Sequence, residues 1–438
     1  MNNNDSFDKV LNKIDSLKQE LISILIDTVN IPSINPSYDG VEYDQVIGNE
    51  SLVNRYYKKI LDDLGSKTDL WEETENRENL VGLFKGKGEG KSLIFNGHVD
   101  VVPANDESSW KKTSPWQAKE IDQNIYGRGT CDMKGGNAAV IIAIKGIIEA
   151  GYWPAGDVIL QFVVGEESQE KEKGTLAAIT RGYKADAAIV VEPSAPPYRL
   201  GILTASPGVI TLRVNVKGKS AHTSVRNELV RAGGKGSDVA VSALDKAMII
   251  YDAMNKLEEI WGQTKLHPAF KSPGHFTICP TGFVSGINGI SYIPDSCYIE
   301  YAIWHSPYED DEQVKSEICN QIERYSDTDP WLRVNRPELE WMLWWPPFSV
   351  DENSQLVQTL KNSYEQAIGD EPNIYGFLAV CDASFLNQEG IPAIVLGPGS
   401  LRNAHAADEF VNISELIDAS KIYATMICNW CGITSINE

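Results

Sequence analysis

The sequence predicts an α/β fold: a mainly parallel sheet with helices, interrupted by an inserted α+β domain. Three observations predict it. Apolar strand-like runs alternate with helical ones over residues 91–205. The pattern changes at about residue 206 to strands that alternate apolar and polar residues. The first pattern then returns after residue 345. The expected domains are therefore 1–205, an insertion at 206–345, and 346–438 completing the first.

Each element follows from its pattern. Phe7, Val10, Leu11, Ile14, Leu17 and Leu21 recur at helical spacing within residues 6–30. "SLIFNGHVD" reads as a buried strand, and "DMKGGNAAVIIAIKGIIEAG" as a buried helix ended by Gly151. "DVILQFVVGEE", the helical "GTLAAITRGYK" and "DAAIVVEPS" continue the strand–helix–strand series. "GVITLRVNVKG" and "DSCYIEYAIWH" alternate, as strands with one half-exposed face do. Helices are expected across "VAVSALDKAMIIYDAMNKLEEIW", over 311–325, near 353–368 and from about 414, with a strand in "GIPAIVLGPGS".

Composition narrows the function. The 438 residues are 42% hydrophobic and 23% charged, with a formal net charge of −22. That charge repels phosphate, so neither nucleic acid nor an anionic membrane is an expected partner. The seven cysteines are odd in number and scattered, which is not a disulfide framework; a reducing cytoplasm is expected. Cys428 and Cys431 read as two packed cysteines near a helix end. The N-terminus is polar and acidic, unlike a secretory signal, and the longest apolar run is broken by Lys145.

The chemistry lies where the polar residues fall. In open α/β sheets, ligands bind beyond the carboxyl ends of the strands. His98 and Asp100 end one strand, Glu166 and Glu167 the next, and Glu192 another; His405 follows "AIVLGPGS", and Asp132 opens the buried helix. Five segments thus deliver metal-ligand residue types to one rim. Imidazoles plus carboxylates suit zinc, with cobalt or manganese as substitutes. The donors are too many for one zinc ion but suit two ions sharing a carboxylate. His98 and Asp100, two apart on a strand, point the same way, so the carboxylate can fix the imidazole's tautomer.

"NGHVDVVP", "IYGRGTCDMKGG", "GEES", "VEPS", "KSAHTS" and "GPGS…AHAADEFV" resemble the acetylornithine deacetylase/succinyl-diaminopimelate desuccinylase family of dinuclear zinc peptidases and deacylases. The resemblance covers nearly the whole chain. It implies a zinc-peptidase-like catalytic domain and a lid/dimerisation insertion. It implies that His98, Asp132 and Glu192 hold one metal and that Asp132, Glu167 and His405 hold the other. Asp100 would orient His98, and Glu166 would be the catalytic base for a metal-bridged hydroxide. His222, on the lid, would stabilise the oxyanion, often from a partner subunit, and Asp132–Met133 would be a cis peptide.

The chain also departs from that family. Ser291 stands where a lid asparagine is usual, and Trp304 where an arginine captures a substrate carboxylate. Of a further segment, here "AVCDASF", only Asp382 is kept, and the loop "GEESQEKEKGT" is longer and more charged than usual. "VRAGGKGSDVAVSALDKA", "LEEIWGQTK" and "DTDPWLRVNRPELEW" resemble the formylaminopyrimidine deformylase branch, whose flat substrate lacks an α-carboxylate. Trp341, Trp344 and Trp345 read as packing residues rather than as an aromatic wall. The expected activity is hydrolysis of a small N-acylated amine by a cytoplasmic homodimer paired through the lid domain. A dipeptidase or carboxypeptidase of the same family and a non-catalytic metal-binding assembly module are the alternatives, the last disfavoured by retention of Glu166.

Overall fold

A computed structural model describes residues 3–168, 170–194, 197–286 and 291–436, with side chains described from residue 6. The chain divides into two compact units, 1–205 with 349–438, and 206–348.

The first unit is built on a mixed sheet. Leu93–His98 lies parallel to Val158–Val163 on one side and to Ala187–Val190 on the other. Ala393–Val395 continues the parallel set beside Ala187–Val190. Arg77–Phe84 runs antiparallel to Val158–Val163 and pairs outward with Lys67–Thr74. Leu93–His98, Val158–Val163 and Ala187–Val190 are buried at every residue, which requires cover on both faces. This explains why they read as continuous apolar runs rather than alternating ones. Because the four central strands are parallel, their carboxyl ends share one rim.

The helix Lys134–Glu149 is apolar nearly all round and correspondingly buried. It packs against Ile413–Trp430 and the strand Leu93–His98. Two glycines permit the approach: a Cβ on Gly97 would stand 2.1 Å from Asn137 Oδ1, and one on Gly136 2.2 Å from the Val191 carbonyl. The amphipathic N-terminal stretch forms two helices, Asn3–Ser16 and Lys18–Val29, with Leu17 between them. Cys428 lies in the last turn of Ile413–Trp430, Cys431 caps that helix, and both are buried and free.

The second unit has a four-stranded antiparallel sheet in the order Ile278–Ser285, Ser296–His305, Gly208–Lys217, Glu338–Trp345. The strand Ser296–His305 alternates buried and half-exposed residues along its length. Ala243–Thr264 packs on this sheet and on the helix Asp311–Ser326. The first of these helices begins four residues later than the apolar pattern suggests, because the Ser242 hydroxyl accepts from Asp245 N–H and caps it. The second opens with a capping box between Asp310 and Gln313. Trp345 is buried, in keeping with a packing role. Among the described residues no helix is long and apolar enough to cross a membrane.

Candidate metal centre

Four parallel strands deliver their following residues to the same rim, and the acidic and imidazole groups meet there. His98 ends its strand; its Nε2 lies 3.1 Å from Asp132 Oδ1, 3.4 Å from Glu192 Oε1 and 3.9 Å from Glu166 Oε2. His405 Nε2 lies 3.4 Å from the other oxygen of Asp132 and 3.2 Å from Glu167 Oε2. Asp132 is thus shared between two imidazoles, one on each oxygen. Two groupings have mutual donor spacings suited to a cation: His98, Asp132 and Glu167, and His98, Glu166 and Glu192. The first places Glu167 with His98 as well as with His405, and the second draws Glu166 in among the candidate ligands.

The electrostatics reflect an excess of carboxylates. Burial, with the Asp132 charge beside it, pushes Glu192 up to about 8. Burial likewise raises Glu166 and Glu167 above the usual carboxylate range, and neighbouring carboxylates add to it. Burial also opposes ionisation of Asp132, but hydrogen bonds from His405 and His98 hold it well below that range. Burial disfavours the His405 cation, yet Asp132 and Glu167 push it up to about 11. Crowded buried acids of this kind call for positive charge. The buried Oε1 of Glu167 has no hydrogen-bond partner, an unsatisfied acceptor that a cation would satisfy. The donor set therefore fits divalent cations: hard oxygens, two imidazoles and one shared carboxylate.

Asp100 departs from its expected contact. The group that accepts from His98 Nδ1 is its main-chain oxygen, at 2.8 Å, while the nearest carboxylate oxygen is 3.7 Å away. The carboxylate instead accepts from Gly165 N–H at 3.0 Å, Glu167 N–H at 3.1 Å and Asn35 Nδ2 at 2.8 Å. The physical reason is that the strand ends at His98, so Asp100 lies beyond the regular alternation and its side chain turns toward the neighbouring loop. Glu166 and Glu167 likewise lie off the regular strand, in a turn after Val163. The Asp132–Met133 peptide is cis. His405 adopts a left-handed backbone, φ 60, and its side chain is half exposed where the other ligands are buried.

Supporting residues escaped sequence reasoning. Asn137 donates to the His98 carbonyl at 2.8 Å; a lone amide in an apolar helix was the signal available. Asn35 comes from a loop with no such signal. Asp382, which the sequence did single out, is buried and accepts from Thr175 Oγ1 at 2.6 Å, and Thr175 in turn accepts from Asn96 at 2.8 Å. The charged loop after Glu167 is anchored by buried Arg77, which pairs with both Glu50 and Glu170. His222, Ser291 and Trp304 belong to the second unit. There Ala221–His222 pairs with Tyr292–Ile293, and Thr223 N–H donates to the Ser291 carbonyl at 3.0 Å, so His222 and Ser291 are brought together. Trp304 is half-buried opposite Val209 at the end of its strand.

Residues 94–429 match the profile of peptidase family M20/M25/M40. The chain belongs to that family. The N-formyl-4-amino-5-aminomethyl-2-methylpyrimidine deformylase of Halalkalibacterium halodurans is 33% identical to this M20 chain, covering 97% of it and 98% of the relative. A probable succinyl-diaminopimelate desuccinylase of Staphylococcus aureus is 28% identical, covering 90% and 93%. The dipeptidase Dug1p of Saccharomyces cerevisiae shares the fold, with a TM-score of 0.71 at 16% identity over 97% of this chain and 98% of its own. Family membership makes this chain a metal-dependent hydrolase of amide bonds, and the resemblance read from its motifs, deformylase branch included, holds.

Proposed function

We propose that this M20 enzyme removes a small acyl group, formyl foremost, from a primary amine carried on a flat heteroaromatic ring. The observation that carries the reading is the convergence of His98, Asp132, Glu166, Glu167, Glu192 and His405 at one rim. Two zinc ions, or cobalt or manganese in their place, would be held by His98, Asp132 and Glu192 on one side and by Asp132, Glu167 and His405 on the other. Bound there, they would supply Lewis acidity that acidifies water and polarises the amide carbonyl. Glu166 takes the proton of the attacking water and returns it to the leaving nitrogen. Burial holds its pKa above the usual carboxylate range, which makes it the stronger base toward that water. Asp100 and Asn35 fix the turn from which Glu166 projects.

The inserted unit acts as lid and dimerisation domain, and His222 donates to the developing oxyanion from it. Trp304, in place of a carboxylate-binding arginine, favours a substrate without an α-carboxylate. The deformylase relative, similar over nearly its whole length, supports the formyl choice. The acidic chain works in the cytoplasm without nucleic acid or membrane partners. Purified zinc enzyme should hydrolyse an N-formyl aminomethylpyrimidine at least 100-fold faster than succinyl-diaminopimelate or a dipeptide, and preference for either competitor sinks the substrate choice. Glu166→Gln should keep its metal and lose about 10²–10⁴ in kcat; unchanged turnover sinks the assignment of the base.

A further inference from the structure

The shared ligand Asp132 sits on the turn 127–132, and that turn is gathered around one carboxylate from a distant segment. Glu409 Oε1 accepts from Gly129 N–H at 3.0 Å, Cys131 N–H at 2.8 Å and Asp132 N–H at 3.2 Å. Its other oxygen pairs with the Arg128 guanidinium. Both side chains are fully buried, and Arg128 also lies over the Trp110 ring, 5.4 Å from its centroid. The backbone joins in, with Gly127 N–H donating to the Glu409 carbonyl at 2.9 Å. Glu409 follows His405 by four residues and leads directly into Phe410–Asn412, which pairs with Asn124–Tyr126. One carboxylate therefore ties the segment bearing His405 to the turn bearing Asp132.

A buried ion pair alone would give little net stability and would not require three amides converging on one oxygen. Convergent charge-assisted hydrogen bonds from successive amides fix a turn's shape tightly. We propose that Glu409 is a positioning residue that sets Asp132 against His405 and so determines how the centre grips its cations. It touches no substrate. It acts on the main chain of the shared ligand. This inference rests on the metal centre proposed above.

The probe is Co²⁺, titrated into the chelator-stripped full-length enzyme, with affinity read by competition and coordination read by the visible d–d spectrum. In Glu409→Gln the amide presents an acceptor at one end only, so either the three N–H groups or Arg128 must face an NH2 group. The expected result is about 10–100-fold weaker Co²⁺ binding and an altered spectrum in a folded protein. Glu409→Ala should show the same in larger measure; if it fails to fold, the isosteric Glu409→Gln decides. Wild-type affinity and spectrum in Glu409→Gln overturn the proposal. A wild-type chain that takes up no Co²⁺ overturns the underlying metal-centre reading instead, so the two failures are told apart.

Discussion

Asp100 controls two segments with two different groups. Its main-chain oxygen holds His98 Nδ1, while its carboxylate holds the amides of Gly165 and Glu167. The two jobs can be separated by mutation. Asp100→Asn leaves the main chain in place, so His98 keeps its tautomer and orientation. The amide cannot accept from three N–H donors on both of its heavy atoms, because one of them is now an NH2 group. The expected outcome is a kcat lower by about 10–100-fold at saturating metal, with metal still bound, because the turn carrying Glu166 and Glu167 is no longer held. Steady-state kinetics beside metal analysis checks it; an undiminished kcat would mean that the carboxylate only fills space. Residue types at strand ends were legible in the sequence, since carboxylates and histidines after apolar runs stand out. The wiring between them was not. Which atom of Asp100 faces His98 depends on the backbone beyond the strand end, and Glu409, 280 residues from Gly129 in the turn it gathers, gave no periodic signal.

At the scale of the element, the strand Ser296–His305 ends on a histidine that the site does not use. His305 is fully buried, and a Cβ on Gly208 would lie only 2.2 Å from its Nε2, so the two strands close tightly on the ring. Burial lowers its pKa to about 4 against the ordinary 6.5; the Ser306 carbonyl pulls upward, Lys265 downward, and Asp310 and Asp311 upward. The sign follows from linkage. Between those two values the unfolded chain binds a proton that the folded chain refuses, so stability is complete above about pH 6.5 and declines as the pH falls toward 4. The gap corresponds to at most about 3 kcal/mol. Amide exchange in Gly208–Lys217 should therefore quicken across that window, and His305→Gln should flatten the acid limb. An identical pH profile in the variant would remove His305 as its cause. The elements themselves were well marked by periodicity and caps. The N-terminal pair of helices was less so, because apolar spacing runs on through Leu17 and does not reveal the break.

For the whole molecule, the insertion leaves and returns at neighbouring points of the first unit. Val350 N–H donates to the Thr204 carbonyl at 2.8 Å, so the two ends of the excursion are already hydrogen-bonded to each other. A short turn can bridge such a gap at small entropic cost. Every candidate metal ligand lies in the first unit, whereas His222 lies in the second. Replacing residues 206–348 by a short glycine-rich turn should consequently leave a folded protein that still binds metal. It should be a monomer by light scattering, because the proposed dimer contact goes with the insertion. It should also lose at least about 10²–10³ in kcat, the contribution of a single oxyanion donor. His222→Ala in the full chain separates the two losses: it should match the kinetic defect and leave the dimer intact. A shortened protein that stays dimeric would move the subunit contact to the first unit. One that keeps full turnover would mean that the chemistry needs nothing from the insertion, and His222 would then have no catalytic part.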